Sequence, residues 1–188
     1  MEKREIERII ILIDGSNFYY STAKIGNKID FQKLIKELVG NRELVSAYYY
    51  VAPLDFKTNP SKYWKHQKFL NTLREIPKFN VVLCNLRKIK KENGKFEFVV
   101  KGDDTLLIRD LLVGAFKDLY DIAIIVSGDE DFAPIIKTVK ELGKKVGNAY
   151  FKSSSSQSLR QICYFSIPLD KMIHKVIYKK DREDSALP

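Results

Sequence analysis

Cysteine and histidine are nearly absent from this chain of 188 residues, which has two of each. Cys84 and Cys163 lie in apolar surroundings with no Cys-x-x-Cys spacing, so a disulfide framework is excluded and both read as reduced core thiols. His66 and His174 are too few and too far apart for a histidine-based zinc site or a histidine-centred catalytic set. Long apolar runs are also missing. The first one, Ile9 to Ile13, is far shorter than a signal-peptide core or a membrane span, so a cytoplasmic protein without a membrane partner is expected. There is no Gly-x-Gly-x-x-Gly cradle after that run, which disfavours a small-ligand dinucleotide domain. Repeats and linkers are lacking as well. The length suits one domain over residues 1–178, with a polar tail at 179–188.

Hydrophobic residues make up 45% of the chain, enough for a substantial core. Lys and Arg outnumber Asp and Glu by 33 to 24, a formal net charge of +9. A basic surface attracts polyanions and gains from counterion release; its plain alternative is a solvated, lysine-rich surface.

Strand and helix signals alternate. Ile9 to Ile13 reads as a strand buried on both faces, ending in the turn-forming group Asp14-Gly15-Ser16-Asn17. Asp30 caps a helix with apolar residues at Phe31, Leu34, Ile35, Leu38 and Val39. Leu44 to Ala52 is a tyrosine-rich strand whose tyrosines suit either core packing or an interface between copies. Pro60 opens a helix to about Glu75. Phe79 to Leu86 returns as a strand, and Glu92-Asn93-Gly94-Lys95 predicts a hairpin turn into Phe96 to Val100. A long helix over Asp104 to Tyr120 precedes a buried strand, Ile122 to Val126. A helix from about Asp131 to Leu142 stops at Gly143, and Lys145 to Phe151 forms the last core strand. The serine run Ser153 to Ser156 reads as a loop, with short elements at Gln157 to Tyr164 and Leu169 to Tyr178. The class is α/β with a mainly parallel sheet, and such sheets bind ligands beyond the carboxyl ends of their strands.

Two strands end in similar phrases there, Ile13-Asp14-Gly15-Ser16-Asn17 and Val126-Ser127-Gly128-Asp129. Each sets a carboxylate outside a buried strand beside a glycine that permits a sharp turn. If the strands are neighbours, Asp14 and Asp129 converge. Crowded carboxylates repel unless a cation neutralises them, and Mg²⁺ or Mn²⁺ is the hard, oxygen-seeking choice. Asp103 and Asp104 open the long helix, Asp110 lies six residues past Asp104, and Asp131 opens the helix after Asp129. The plain readings are helix capping for Asp104 and Asp131 and a solvated or lysine-paired face for Asp110. Asp14 is harder to assign to stability, because an acid directly after a buried strand is poorly placed for it.

Leu12-Ile13-Asp14-Gly15-Ser16-Asn17 resembles the opening motif of NYN domains, the PIN-like nucleases that include LabA-type bacterial proteins. Lys101-Gly102-Asp103-Asp104, with Asp110 six further on, resembles the family's Lys-Gly-x-Asp helix start. Ser127-Gly128-Asp129-Glu130-Asp131-Phe132 resembles its Ser-Gly-Asp-x-Asp-Phe signature. Gly143-Lys144-Lys145-Val146 and, more weakly, Ser156-Gln157-Ser158-Leu159 match later segments. The ordered set spans about Ile9 to Tyr150. The resemblance implies a Rossmann-like PIN fold, a Mg²⁺ or Mn²⁺ site and phosphodiester hydrolysis, chiefly of RNA. Asp14, Asp104 and Asp129 then correspond to the acidic core, with Asp131 beside it and Asp103 as an alternative to Asp104. Asn17 would hold the first loop or bond the substrate.

On this reading Asp14 and Asp129 ligate the metal, and Asp104 and Asp131 complete the shell or position the attacking water. Lys57, Lys62, Lys65, Lys68, Arg87, Lys88, Lys90, Lys91 and Lys101 draw in the substrate, and Ser16, Asn17 and Ser127 line it. Tyr19, Tyr20 and Trp64 are candidates to stack on unpaired bases, against a core role that suits Trp64 better. RNA is the expected partner, with DNA as the other possibility. A non-catalytic RNA-binding module is the first rival. A phosphatase of the haloacid-dehalogenase kind is disfavoured because Ser16 stands where its second acid belongs.

Overall fold

The computed structural model describes residues 6–178, apart from 24, 25, 27, 58 and 91–95; for 86–90 and 96–101 it describes the backbone alone. The predicted turn at Glu92 to Lys95, Lys91 and the tail 179–188 lie outside the described residues, as do the side chains of Arg87, Lys88, Lys90 and Lys101.

The elements run β1 (Arg8–Asp14), α1 (Gly15–Ala23), α2 (Phe31–Val39), β2 (Glu43–Val51), α3 (Pro60–Arg74), β3 (Phe79–Leu83), β4 (Asn85–Lys90), β5 (Phe96–Lys101), α4 (Asp103–Phe116), β6 (Ile122–Val126), α5 (Ala133–Glu141), β7 (Lys145–Tyr150), α6 (Gln157–Ile162), β8 (Phe165–Pro168) and α7 (Ile173–Val176). Six strands form one parallel sheet in the order β3-β2-β1-β6-β7-β8, while β4 and β5 pair as a separate antiparallel hairpin. The chain winds outward from β1 in one direction and from β6 in the other. Their carboxyl ends therefore flank the point where strand order reverses, the usual ligand crevice of such sheets.

Alternation along β1 explains why its run is continuously apolar. Ile9, Ile11 and Ile13 enter one core layer, with Phe18, Phe31, Leu34, Leu70 and Leu73 from α1, α2 and α3. Ile10 and Leu12 enter the opposite layer, with Leu107, Leu111, Ile136 and Leu159 from α4, α5 and α6. Each such fully buried side chain is worth about 1.5–3 kcal/mol against exposure.

Several expectations are corrected. Gly15-Ser16-Asn17 is no turn: α1 begins directly after β1, because the Asp14 carboxylate accepts the Asn17 N–H (3.0 Å) as a helix cap does. Asp14 thus has a structural role that its position after a strand had argued against. The strand predicted over Phe79 to Leu86 breaks at buried Cys84, where the chain leaves the sheet for the hairpin. Helix α4 ends at Phe116, short of Tyr120, whose ring folds back under it and whose hydroxyl donates to the Leu111 carbonyl (2.7 Å). Tyr49 and Tyr50 of β2 are buried in the two core layers, which assigns them to packing within the chain. Trp64, for which the core was favoured, is 63% exposed, because α3 buries the side marked by Leu70 and Leu73. No described helix is long and apolar enough to cross a membrane.

Candidate active site

The carboxyl ends of β1 and β6 lie side by side, with Ile13 opposite Val126. Asp14 closes β1 with only 6% of its surface exposed. One of its oxygens accepts the Asn17 N–H; the other accepts the Ser127 hydroxyl (2.9 Å), which in turn accepts the Asp129 N–H (3.1 Å). Ser127 therefore has its proton committed to Asp14 and its lone pair to the loop that carries Asp129. Asn17 ties the same two loops from the other side, its side-chain oxygen accepting the Gly128 N–H (3.1 Å). The Ser21 hydroxyl donates to the Asn17 carbonyl and pairs with the Ser154 hydroxyl, both at 2.7 Å. From β7, the Asn148 amide donates to the carbonyls of Ile125 (3.2 Å) and Ser127 (2.8 Å).

The glycines beside the two carboxylates serve a purpose other than the sharp turn expected of them. Neither has a positive φ. A Cβ on Gly15 would lie 2.3 Å from the Tyr50 carbonyl oxygen, and one on Gly128 would lie 1.5 Å from that of Ser154. They are small because the crossing backbones leave no room. Gly102, by contrast, sits at φ 89° and turns the chain from β5 into α4, a conformation that suits glycine.

That turn delivers Asp103 and Asp104 as the first two residues of α4, and the cap position carries no side-chain hydrogen bond. Neither carboxylate caps the helix, and neither does that of Asp131. The capping acid is Asp129, which accepts the Asp131 N–H (3.0 Å). Among the described residues, the carboxylates of Asp103, Asp104 and Asp131 have no hydrogen-bond or ion-pair partner. Their charges nonetheless act on one place. Burial pushes the Asp14 carboxyl above its usual range, opposed by the bonds from Asn17 and Ser127 and reinforced by Asp103 and Asp129. Burial also pushes Asp104 up to about 6, helped by Asp103, Asp14, Asp129 and Asp131. The thiol of neighbouring Cys84 is pushed up to about 11 by burial first, then chiefly by Asp103.

Of the remaining predicted residues, Ser16 is half-buried beside Asn17, and Tyr19 and Tyr20 are 64% and 71% exposed on α1 with rings 5.5 Å apart. Lys101 ends β5 immediately before Gly102. Asp110 is placed apart. It accepts the Tyr50 hydroxyl (3.0 Å) and pairs with Arg109 (2.7 Å), and its charge is not among those that raise Asp14 or Asp104. The sequence reading missed Ser21, Ser154 and Asn148. A lone asparagine in an otherwise apolar strand was a usable signal for Asn148; a serine in a serine run was not one for Ser154.

Five carboxylates without a described counter-cation suit a hard divalent cation in donor chemistry and in charge. As the side chains stand, no three described His, Cys, Asp or Glu residues enclose a metal position.

The family model for the NYN domain matches residues 8–170. Among solved structures, the chain is similar to the crystal structure of VPA0982, a protein of unknown function from Vibrio parahaemolyticus RIMD 2210633. The identity is 25% and the TM-score 0.73, over 95% of this chain and 100% of that one. No curated protein matches the sequence.

Proposed function

This chain belongs to the NYN domain family, within the PIN-like superfamily, and from that premise we propose that it is a divalent-metal-dependent ribonuclease acting on single-stranded RNA. The observation that carries the reading is geometric: the carboxyl ends of β1 and β6 lie side by side, with Asp14 and Asp129 linked through Ser127. Asp103, Asp104 and Asp131 act on the same place, all without a described counter-cation. A stability-selected surface does not gather like charges in that way. Asp14 and Asp129 are the direct ligands in this proposal, with Asp104 and Asp131 completing the shell or positioning water and Asp103 as a further donor. Mg²⁺ or Mn²⁺ bound there supplies charge neutralisation at the scissile phosphate and a water of lowered pKa. The chain's own residues do the rest. Ser127 and the Asn17 N–H fix the orientation of the Asp14 carboxyl and oppose the upward push of burial, and Asn17 and Ser154 keep the Asp129 loop against α1. Tyr19 and Tyr20 offer exposed rings to unpaired bases, and we assign Ser16 and Lys101 to the substrate phosphates by their places in the sequence, just after Asp14 and before Gly102. We place the LabA-like subtype and a cytoplasmic location, in which Cys84 and Cys163 stay reduced, in the same proposal.

A second reading, an RNA-binding module without catalysis, is favoured by the lack of a preformed three-ligand site among the described residues. Incubation of the protein with labelled single-stranded RNA or DNA, in Mg²⁺, Mn²⁺ or EDTA, separates the two. Cleavage of RNA that needs metal and falls by about a hundredfold or more in Asp129→Asn is the expected result. Intact RNA in every lane, with RNA bound, gives the molecule to the second reading.

A further inference from the structure

Helix α3 and the loop before it carry a feature that the acidic edge does not use. Only Leu70 and Leu73 of α3 are fully buried, and its first turn and a half exposes Pro60, Ser61, Lys62, Trp64 and Lys65. There, Phe56, Tyr63 and Trp64 pack against one another edge to face. Their ring centres are 5.4 Å apart for Phe56–Tyr63, 6.2 Å for Phe56–Trp64 and 5.3 Å for Tyr63–Trp64. Phe56 is 48% exposed and Trp64 63%. Exposing such rings costs free energy that burial would recover, so a cluster of them on the surface calls for an occupant.

The surrounding charge says what kind. Lys57, Lys62, Lys65 and Lys68 are all exposed and have no acidic partner among the described residues, while Asp55 is the only acid between positions 54 and 68. An apolar protein partner would have to desolvate these ammonium groups. A polyanion with flat apolar groups would not, since phosphates meet the lysines and bases meet the rings. Topology places the cluster on the productive side of the sheet. The loop leaves β2 just past Tyr50, the residue opposite Asp14 in β1, so it emerges at the same carboxyl edge. Helices α1 and α3 send their buried residues into the same core layer, so Tyr19, Tyr20 and the α3 cluster lie on one face of the sheet.

We propose that Phe56, Tyr63 and Trp64, with Lys57, Lys62 and Lys65, form a second binding subsite for single-stranded RNA. It stacks unpaired bases of the strand whose phosphates reach the acidic edge past Tyr19 and Tyr20. The subsite rests on the nuclease reading for its substrate but not on catalysis.

Trp64 is the chain's only tryptophan, so its emission reports this site alone. The full chain in EDTA is titrated with an oligouridylate of about twelve nucleotides, within the usual span of a stacking site. Binding is followed independently by anisotropy of a fluorescein-labelled copy. Quenching of Trp64 in step with anisotropy is expected, with binding about tenfold weaker in Trp64→Ala. In the Lys62→Ala/Lys65→Ala double variant, the slope of log affinity against log salt should shrink by about 1.4. Thermal unfolding confirms that the variants remain folded. Anisotropy that rises without quenching, with Trp64→Ala binding as wild type does, overturns the subsite and leaves the cluster to a protein partner. No rise at all overturns it too. Metal-dependent cleavage without quenching sinks the subsite and spares the nuclease reading; quenching without cleavage does the reverse.

Discussion

At the amino end of the central strands, Arg8 opens β1 and pairs with Asp121 (2.8 Å), just before β6, and with Asp118 (3.2 Å), after α4. Lys144 joins Asp118, and Lys145 and Arg42 hold Glu7 at 2.7 and 3.7 Å. Every acid in that network has a cation, and the bonds from Lys144 and Arg8 hold Asp118 below the usual carboxylate range, as Arg8 holds Asp121. At the carboxyl end of the same two strands, Asp14 and Asp129 meet Asp103, Asp104 and Asp131 with no described cation, and the shifts of Asp14 and Asp104 run upward. One residue type on one pair of strands is compensated at one end and left repelling at the other. The amino end therefore closes the fold, while the carboxyl end keeps unfavourable charge, which the proposed divalent cation would relieve.

The largest break in this contrast should come from Gly128→Ala. The new methyl meets the Ser154 backbone, so about 2–3 kcal/mol of stability should be lost in urea unfolding, with cleavage lost as the Asp129 loop is displaced. A loss below a few tenths of a kcal/mol would mean that the β6 and β7 loops separate freely and that Gly128 has no such role.

The two ends should then respond oppositely to neutralisation. Asp121→Asn at the amino end should cost about 1 kcal/mol and leave cleavage within about twofold, because its bonds to Arg8 are half-exposed and solvent-screened. Asp104→Asn at the carboxyl end should abolish cleavage and stabilise the metal-free protein by about 0.5 kcal/mol after screening. Both variants destabilising equally would erase the comparison.

The subtlest test is pH. Asp121 is depressed in the folded state, so its contribution is present above its unfolded value, 3.8, and is lost as pH falls through the folded one. Asp104 is raised from 3.8 to about 6, so across that interval the folded state binds more protons than the unfolded state. The stability of the metal-free protein should therefore fall as pH climbs from about 4 to about 6. Melting temperatures in EDTA should show this decline in wild type and a flatter profile in Asp104→Asn; a decline of equal size in the variant would assign it elsewhere.

Much of the fold was legible because period and burial are local properties. Ile9 to Ile13 and Ile122 to Val126 can be continuously apolar only if both faces are covered, which the two core layers do. Capping chemistry located α2 through Asp30, and Pro60 located α3, whose cap Asn59 only the structure identified. The failures arose where one residue type serves two purposes. Asp-Gly-Ser-Asn suits a turn as well as a helix start, and only the Asn17-to-Asp14 bond decides between them. Trp64 sits in a helix whose apolar positions do not reveal which of them meet the core.

The sequence by itself determined that acids follow two buried strands and open a helix, because strand length and helix starts are set by neighbours along the chain. Tertiary structure alone decided that β1 and β6 are adjacent, that Asp110 turns away to Tyr50, and that Gly15 and Gly128 are small for lack of space. Those outcomes depend on which segments meet across tens of residues and, for β1 and β6, more than a hundred, and no local period encodes them.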